Sequence, residues 1–326
     1  MHIPDIADIT RAAKRLAGKA VRTPLVRSHI LDAATGATVF VKPECLQVTG
    51  TFKFRGACNT ILALQEQGEL AHVVATSSGN HGQGVAEAAR RLGVGATIVM
   101  PSDAPQTKIA RTRRSGAEIV FYDRANEDRE AIGHKVTADR GAVFIHPYDN
   151  PLVVAGQGTC GLEIAEQMDE AGAVPERLLV PAGGGGLTAG VTLAIHDRFP
   201  RTQVNCVEPE GFDDQRRSLE TGRRLANARQ SGSACDALMA PIPGEIAFAI
   251  NRAHGVSGLT VSDAQAFAAM RFAFEELKLV VEPGGAVALA ALLAADGRFA
   301  GETIACVLSG GNVDATLFAR AIGAAG

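Results

Sequence analysis

Leu178-Leu179-Val180-Pro181-Ala182-Gly183-Gly184-Gly185-Gly186-Leu187-Thr188-Ala189-Gly190-Val191-Thr192-Leu193-Ala194-Ile195 reads as strand, glycine loop and helix, in that order. Four glycines let successive backbone N–H groups converge on one small anion without Cβ interference, and the start of the helix adds a partial positive charge. Phosphate is the natural guest. The loop lacks the Gly-Lys-Ser/Thr ending of a nucleoside-triphosphate loop and the spacing of Gly-x-Gly-x-x-Gly, so the phosphate of a smaller cofactor is favoured. A flexible glycine linker would be polar on both sides, whereas both flanks here are apolar.

The same alternation extends in both directions. Strand-like runs at Thr38–Lys42, His72–Ser77, Ala96–Pro101, Glu118–Asp123, Ala142–His146, Arg177–Ala182, Gln203–Glu208 and Thr303–Ser309 are interleaved with helical patterns at Gly84–Leu92, Thr107–Ser115, Arg129–Asp139, Gly161–Glu170 and Ala264–Leu277. This interval predicts an α/β chain with mostly parallel sheets covered on both faces. Ser262 and Gln265 form a capping box that opens the last of these helices. Ser218–Ala234, rich in Gly, Arg, Asn and Ser, is expected to be a surface excursion. In such folds ligands sit beyond the carboxyl ends of the strands. Three polar or glycine clusters fall there: Ser77-Ser78-Gly79-Asn80-His81-Gly82, the four glycines, and Ser309-Gly310-Gly311-Asn312.

With 326 residues, 46% of them hydrophobic, the chain can bury a large core, enough for two domains or one large α/β unit. No apolar stretch approaches the roughly 20 residues of a membrane span, and Met1-His2-Ile3-Pro4-Asp5 lacks the regions of a signal peptide, so a cytoplasmic location is expected. A net charge of −3 gives no global attraction for nucleic acid or acidic membrane. The local run Arg111, Arg113, Arg114 reads as a solvated helix face. Six scattered cysteines without a Cys-x-x-Cys pair argue against zinc or a disulfide framework and are expected to be reduced and mostly buried.

Thr49-Gly50-Thr51-Phe52-Lys53-Phe54-Arg55-Gly56-Ala57 places a lysine between two phenylalanines. Partial desolvation lowers an amine's pKa and makes it a better nucleophile towards a carbonyl. An isolated Phe-Lys-Phe is more often a snorkelling lysine. Beside a phosphate loop the balance reverses, because pyridoxal phosphate needs both an amine and a phosphate cradle. With these motifs in this order, from about Val21 to Asp314, the chain resembles the fold type II pyridoxal-phosphate enzymes (tryptophan synthase β-like), specifically the threonine/serine dehydratase and serine racemase family.

The resemblance implies two three-layer α/β domains with mostly parallel sheets: a large cofactor-binding domain of residues 1–71 plus 150–326, and a small mobile domain of residues 72–149. It makes Lys53 the amine that binds the cofactor and later moves the Cα proton, Phe52 a neighbour of the ring, and Asn80 the partner of the ring hydroxyl. Gly183, Gly184, Gly185, Gly186 and Leu187 become the phosphate loop, and Ser309 the partner of the pyridine nitrogen. Ser77, Gly79 and His81 belong to the substrate-carboxylate loop, His81 in a binding rather than a catalytic role. Ser78 is either a second acid/base on the face opposite Lys53 or only a hydrogen-bonding group. Arg129 either holds a second substrate carboxylate, which would make 3-hydroxyaspartate a substrate, or forms a surface ion pair with Asp128 or Glu130. Glu208, Phe212 and Asp214 match a divalent-cation site for Mg²⁺ or Ca²⁺, the alternative being an acidic turn. Ala234-Cys235-Asp236-Ala237 departs from the family's Ala-Asp-Gly and puts a methyl group near the substrate. Pro241-Ile242-Pro243-Gly244-Glu245 is also unlike the racemase pattern.

The implied activity is dehydration of L-threonine or L-serine to a 2-oxo acid and ammonia. 3-Hydroxyaspartate dehydratase and serine racemase are the alternatives within the family, and β-replacement is the alternative chemical class. Partners would be a small amino-acid substrate and a second copy of the chain, with no nucleic acid or membrane. The chain ends about a dozen residues after Asp314, so no C-terminal regulatory domain, and no feedback inhibition through one, is expected.

Overall fold

The computed structural model describes residues 2–323 except Glu69, Pro105, Arg124 and the side chain of Thr107. Its strands are β1 (Val26–Arg27), β2 (Thr38–Pro43), β3 (His72–Thr76), β4 (Gly95–Pro101), β5 (Glu118–Tyr122), β6 (Val143–Phe144), β7 (Arg177–Pro181), β8 (Gln203–Pro209), β9 (Ser257–Val261) and β10 (Thr303–Leu308). The helices are α1 (Ile6–Leu16), α2 (His29–Thr35), α3 (Lys53–Gln67), α4 (Asn80–Leu92), α5 (Gln106–Arg114), α6 (Arg129–Asp139), α7 (Pro151–Glu170), α8 (Gly186–Arg198), α9 (Asp214–Thr221), α10 (Glu245–Ala253), α11 (Asp263–Glu276), α12 (Pro283–Leu293) and α13 (Ala315–Gly323). None of these helices is long and apolar enough to cross a membrane.

Two sheets result, ordered β1-β2-β10-β7-β8-β9 and β5-β4-β3-β6. All pairings are parallel except β1 with β2. The four inner strands of the larger sheet alternate their side chains between two cores. Val39, Val41, Ile304, Cys306 and Leu308 face α11 and α12, while Phe40, Ala305, Val307, Leu178 and Val180 face α7 and α8. The smaller sheet does the same. Val73 and Ala75 pack against α3 and α4, and Val74 and Val99 face Ile132 and Val136 of α6.

β2, β10 and β7 are adjacent and parallel, with Leu308 in register with Pro43. Their carboxyl ends therefore bring the Lys53 segment, Ser309 and the four glycines to one edge, and the ladder continues past that edge as a bridge between Thr51 and Gly310. A buried ion network anchors the start of α3 there. The Arg55 guanidinium donates to both oxygens of Glu44 at 2.7 and 2.8 Å and to both oxygens of Glu163 at 2.7 and 2.8 Å. Lys42 Nζ donates to Glu163, Gln167 and the Thr23 carbonyl. Burial would raise the Glu44 pKa, but Arg55 outweighs it and holds the carboxyl below its ordinary range.

Several elements depart from the sequence expectation. α9 runs to Thr221, so Ser218 to Thr221 are helical and the irregular excursion begins after them. α7 starts ten residues before Gly161, at Pro151 behind an Asn150 cap whose side chain accepts from Leu152 and Val153 N–H. α12 is buried along almost its whole length and so carries no amphipathic period to detect. The Arg111-Arg113-Arg114 run is not wholly solvated, because Arg111 Nη1 donates to Asn312 Oδ1 at 3.4 Å. The Ser262–Gln265 capping box is present. All six cysteines are free and all but Cys45 are buried.

Candidate active site

The carboxyl-terminal edge opens into a cavity of about 430 Å³, lined among others by Lys53, Ser78, Asn80, Arg129, Gly184 and Ser309. Lys53 is the first residue of α3, and its Nζ donates to the Pro147 carbonyl at 2.8 Å, 5.2 Å from the centre of the Phe52 ring. Neither neighbour is an anion. Burial therefore acts unopposed and lowers the amine's pKa to about 8.

Opposite, the four glycines close round the end of β7. A Cβ on Gly184 would lie 2.2 Å from Cγ of Tyr148, and Gly185 caps α8 with φ +85°, a conformation that favours glycine. The first-turn N–H groups of α8 have no acceptor within the helix and point out of its N-terminus. The loop is thus a bare backbone cradle at a positive helix end.

Asn80 opens α4, with Nδ2 donating to Glu282 Oε1 at 2.6 Å and Oδ1 accepting from Asn312 Nδ2 at 2.9 Å. These bonds fix the carboxamide and leave one Nδ2 hydrogen free. Glu282 is buried, and desolvation raises its pKa to about 7. Ser309 donates its N–H to Gly285 and accepts from Phe52 N–H through its carbonyl; its hydroxyl bonds to none of the described residues. Ser77 Oγ accepts from Gly79 N–H at 3.1 Å, tightening the loop that presents Ser78. His81 faces the Ile145 carbonyl at 2.9 Å, which assigns the proton to Nε2, and burial pushes its pKa down to about 3. It stays neutral and hydrogen-bonded, unfit to act as a general base.

Arg129 begins α6 and faces the same cavity, yet it makes no ion pair or hydrogen bond with the described residues. Asp128, the expected surface partner, instead caps α6 by accepting from the N–H groups of Glu130 and Ala131. At the far wall Lys108 pairs with Asp236 at 2.8 Å, next to Ala237, which also lines the cavity. Cys235 is fully buried with its thiol pKa raised to about 12, so it is no nucleophile.

Glu208 near the end of β8, Phe212 in the turn after it and Asp214 at the start of α9 lie outside this cavity. The two Glu208 oxygens accept from the N–H groups of Gln215 and Arg216, and Asp214 Oδ1 accepts from Asn227. Asp214 Oδ2 is buried with no partner. Burial raises both pKa values, and Asp214 raises that of Glu208 further. Among the described residues no three His, Cys, Asp or Glu side chains stand together, so any ion here needs carbonyl ligands as well.

Residues 17–310 match the family described as pyridoxal-phosphate dependent enzyme. The chain belongs to that family. It is 44% identical to the L-threo-3-hydroxyaspartate ammonia-lyase of a Pseudomonas species, over 98% of both chains. It is 38% identical to the L-threonine ammonia-lyase of Thermotoga maritima, over 97% of this chain and 78% of that one. The solved structure of maize serine racemase superposes with a TM-score of 0.91 at 35% identity, covering 98% of this chain and 97% of that one.

The residues present fit the cofactor. A desolvated amine stands free of any anion, a glycine cradle leaves no room for side chains, and one free amide hydrogen and one free hydroxyl remain on Asn80 and Ser309. Lys53 could hold the aldehyde carbon, Gly183 to Leu187 the phosphate, and Asn80 and Ser309 the ring. Pro147, Tyr148 and Glu282 escaped the sequence analysis. The first two follow the strand-like Ala142–His146, where the carboxyl-end rule offered a signal; Glu282 precedes a helix hidden by its own burial.

Proposed function

We propose that this chain is a pyridoxal-phosphate-dependent ammonia-lyase of β-hydroxy amino acids, with 3-hydroxyaspartate preferred over threonine and serine. The observation that carries the preference is the unpaired Arg129 guanidinium lining the Lys53 cavity. Arg129 is exposed where it lines the cavity and carries no anion among the described residues, so its planar fork is open to a carboxylate that arrives with the ligand. The names of the relatives support the same reaction class.

Bound pyridoxal phosphate supplies the electron sink that acidifies the substrate's Cα–H. The chain supplies the rest. Lys53 Nζ, with a pKa near 8, takes the Cα proton at neutral pH. Ser309, a neutral hydroxyl, leaves the pyridine nitrogen without a carboxylate partner, which limits electron withdrawal and favours elimination of the β-hydroxyl. Asn80, held by Glu282 and Asn312, orients the ring. Ser77, Gly79 and neutral His81 shape the loop for the α-carboxylate, and Ser78, which lines the same cavity, is either a second proton-exchanging group or a hydrogen-bonding one. The products of 3-hydroxyaspartate are oxaloacetate and ammonia, water leaving in the elimination and returning in the hydrolysis. Arg129→Ala is expected to lower kcat/KM for L-threo-3-hydroxyaspartate by about 100-fold relative to threonine, the worth of a charged hydrogen-bonded pair. An unchanged ratio would remove the arginine from substrate choice.

We also propose a divalent cation at Glu208, the Phe212 carbonyl and Asp214. Support comes from the orphaned Asp214 Oδ2 and from the buried Glu208 carboxylate, whose ionisation Asp214 makes costlier. Metal-stripped protein should release or absorb heat on titration with Mg²⁺ or Ca²⁺, and Asp214→Asn should abolish that signal. Silence in the unmodified protein would dismiss the ion.

A further inference from the structure

Tyr148 follows Pro147, whose carbonyl accepts from Lys53. Its ring occupies a slot that glycines leave open: a Cβ on Gly184 would lie 2.2–2.4 Å from three ring atoms, and one on Gly244 would lie 3.1 Å from the ring. The turn bearing it is fixed from both sides. His146 Nδ1 accepts from the N–H groups of Tyr148 and Asp149, and the Asp149 carboxylate accepts from those of Glu245 and Ile246 at 2.9 Å. The ring is therefore part of a rigid frame, as a selective site requires.

The hydroxyl is a different matter. A phenylalanine would fill the same slot, and the Tyr148 hydroxyl makes no hydrogen bond with the described residues although the side chain is half-buried and lines the Lys53 cavity. The side chain lines the cavity, so this unpartnered hydroxyl can donate to an acceptor on the ligand. Burial, reinforced by Glu130 and opposed by Arg129, pushes the phenol's pKa up to about 12, so it remains a donor. Arg129 and Tyr148 thus line one cavity with a guanidinium and a neutral O–H, both donors, neither satisfied by protein. Serine carries only a hydroxyl and threonine adds a methyl group, whereas 3-hydroxyaspartate brings a second carboxylate with acceptors for both.

We propose that the Tyr148 hydroxyl is a specificity-determining group that, together with Arg129, hydrogen-bonds the side-chain carboxylate of the substrate. This rests on the hydroxyaspartate reading above. The test uses holoenzyme of the wild type and of Tyr148→Phe, comparing kcat/KM for L-threo-3-hydroxyaspartate and L-threonine and recording the cofactor absorbance. The hydroxyaspartate-to-threonine ratio is expected to fall about 10- to 100-fold in the variant, the range for one hydrogen bond to a charged group, with the absorbance maximum unmoved. Equal losses on both substrates, or a shifted absorbance, would mean that the hydroxyl serves the cofactor or the packing and would overturn the proposal. A wild-type preference for hydroxyaspartate that survives Tyr148→Phe sinks this inference alone; a wild type with no such preference sinks the substrate reading and this inference with it.

Discussion

Raising the pH of cofactor-free protein is expected to accelerate its covalent capture of pyridoxal phosphate with a midpoint near 8, because only the neutral Lys53 amine attacks the aldehyde. The magnitude follows from burial. An ordinary lysine titrates at 10.5, and Lys53, with a carbonyl and an aromatic ring rather than a carboxylate beside its Nζ, titrates at about 8. At about pH 7 roughly one amine in ten is then neutral, against roughly one in three thousand for a solvated lysine, an advantage of about 300-fold. The sign for stability is linked to it. Between about pH 8 and 10.5 the folded amine has lost a proton that the unfolded chain still binds, so cofactor-free protein should gain stability as pH rises through that window. The assay is stopped-flow absorbance after mixing apoprotein with cofactor across pH, with a free lysine derivative as reference for the cofactor's own titration and Lys53→Ala as the blank. A capture rate that rises only near 10.5, or that persists in Lys53→Ala, would refute the assignment of a burial-activated amine.

Two further outcomes test the frame around this amine. Gly184→Ala places a methyl group 2.2 Å from the Tyr148 ring, so the ring must shift, and should weaken cofactor binding about 10- to 100-fold, measured by equilibrium dialysis, while the apoprotein loses about 1–3 kcal/mol. Arg55→Met leaves the buried Glu44 without its guanidinium, and the partly buried Glu163 with Lys42 alone, and should cost about 3–5 kcal/mol in denaturant unfolding; a loss under about 1 kcal/mol would show that the network is not a buried unit.

Much of this was legible in the sequence, and the failures have physical causes. The strand–glycine–helix passage at 178–195 marked β7 and α8 because an apolar run, four glycines and a helical pattern follow without interruption. The lysine, the serine loop and Ser309 were legible because strands of a parallel sheet deliver their ends to one side. α12 was not, since a helix apolar on every face has no period to read. β1 has two residues and offered no alternation. Glu282 and Tyr148 were hidden for a different reason. Their significance lies in pairings across the fold, Glu282 with Asn80 over 202 residues and Tyr148 with Gly184 and Gly244, and no local pattern encodes a contact of that kind. Arg129 was legible as a candidate, but that Asp128 caps α6 instead of pairing with it is visible only in the fold.

The most direct measurement is product formation by the holoenzyme supplied in turn with L-threo-3-hydroxyaspartate, L-threonine and L-serine at equal concentration, with ammonia and the 2-oxo acid quantified together and the remaining substrate resolved by chirality. Stoichiometric oxaloacetate and ammonia, formed fastest from hydroxyaspartate, is the predicted result. Faster turnover of threonine or serine, or accumulation of the opposite enantiomer without ammonia, would contradict it.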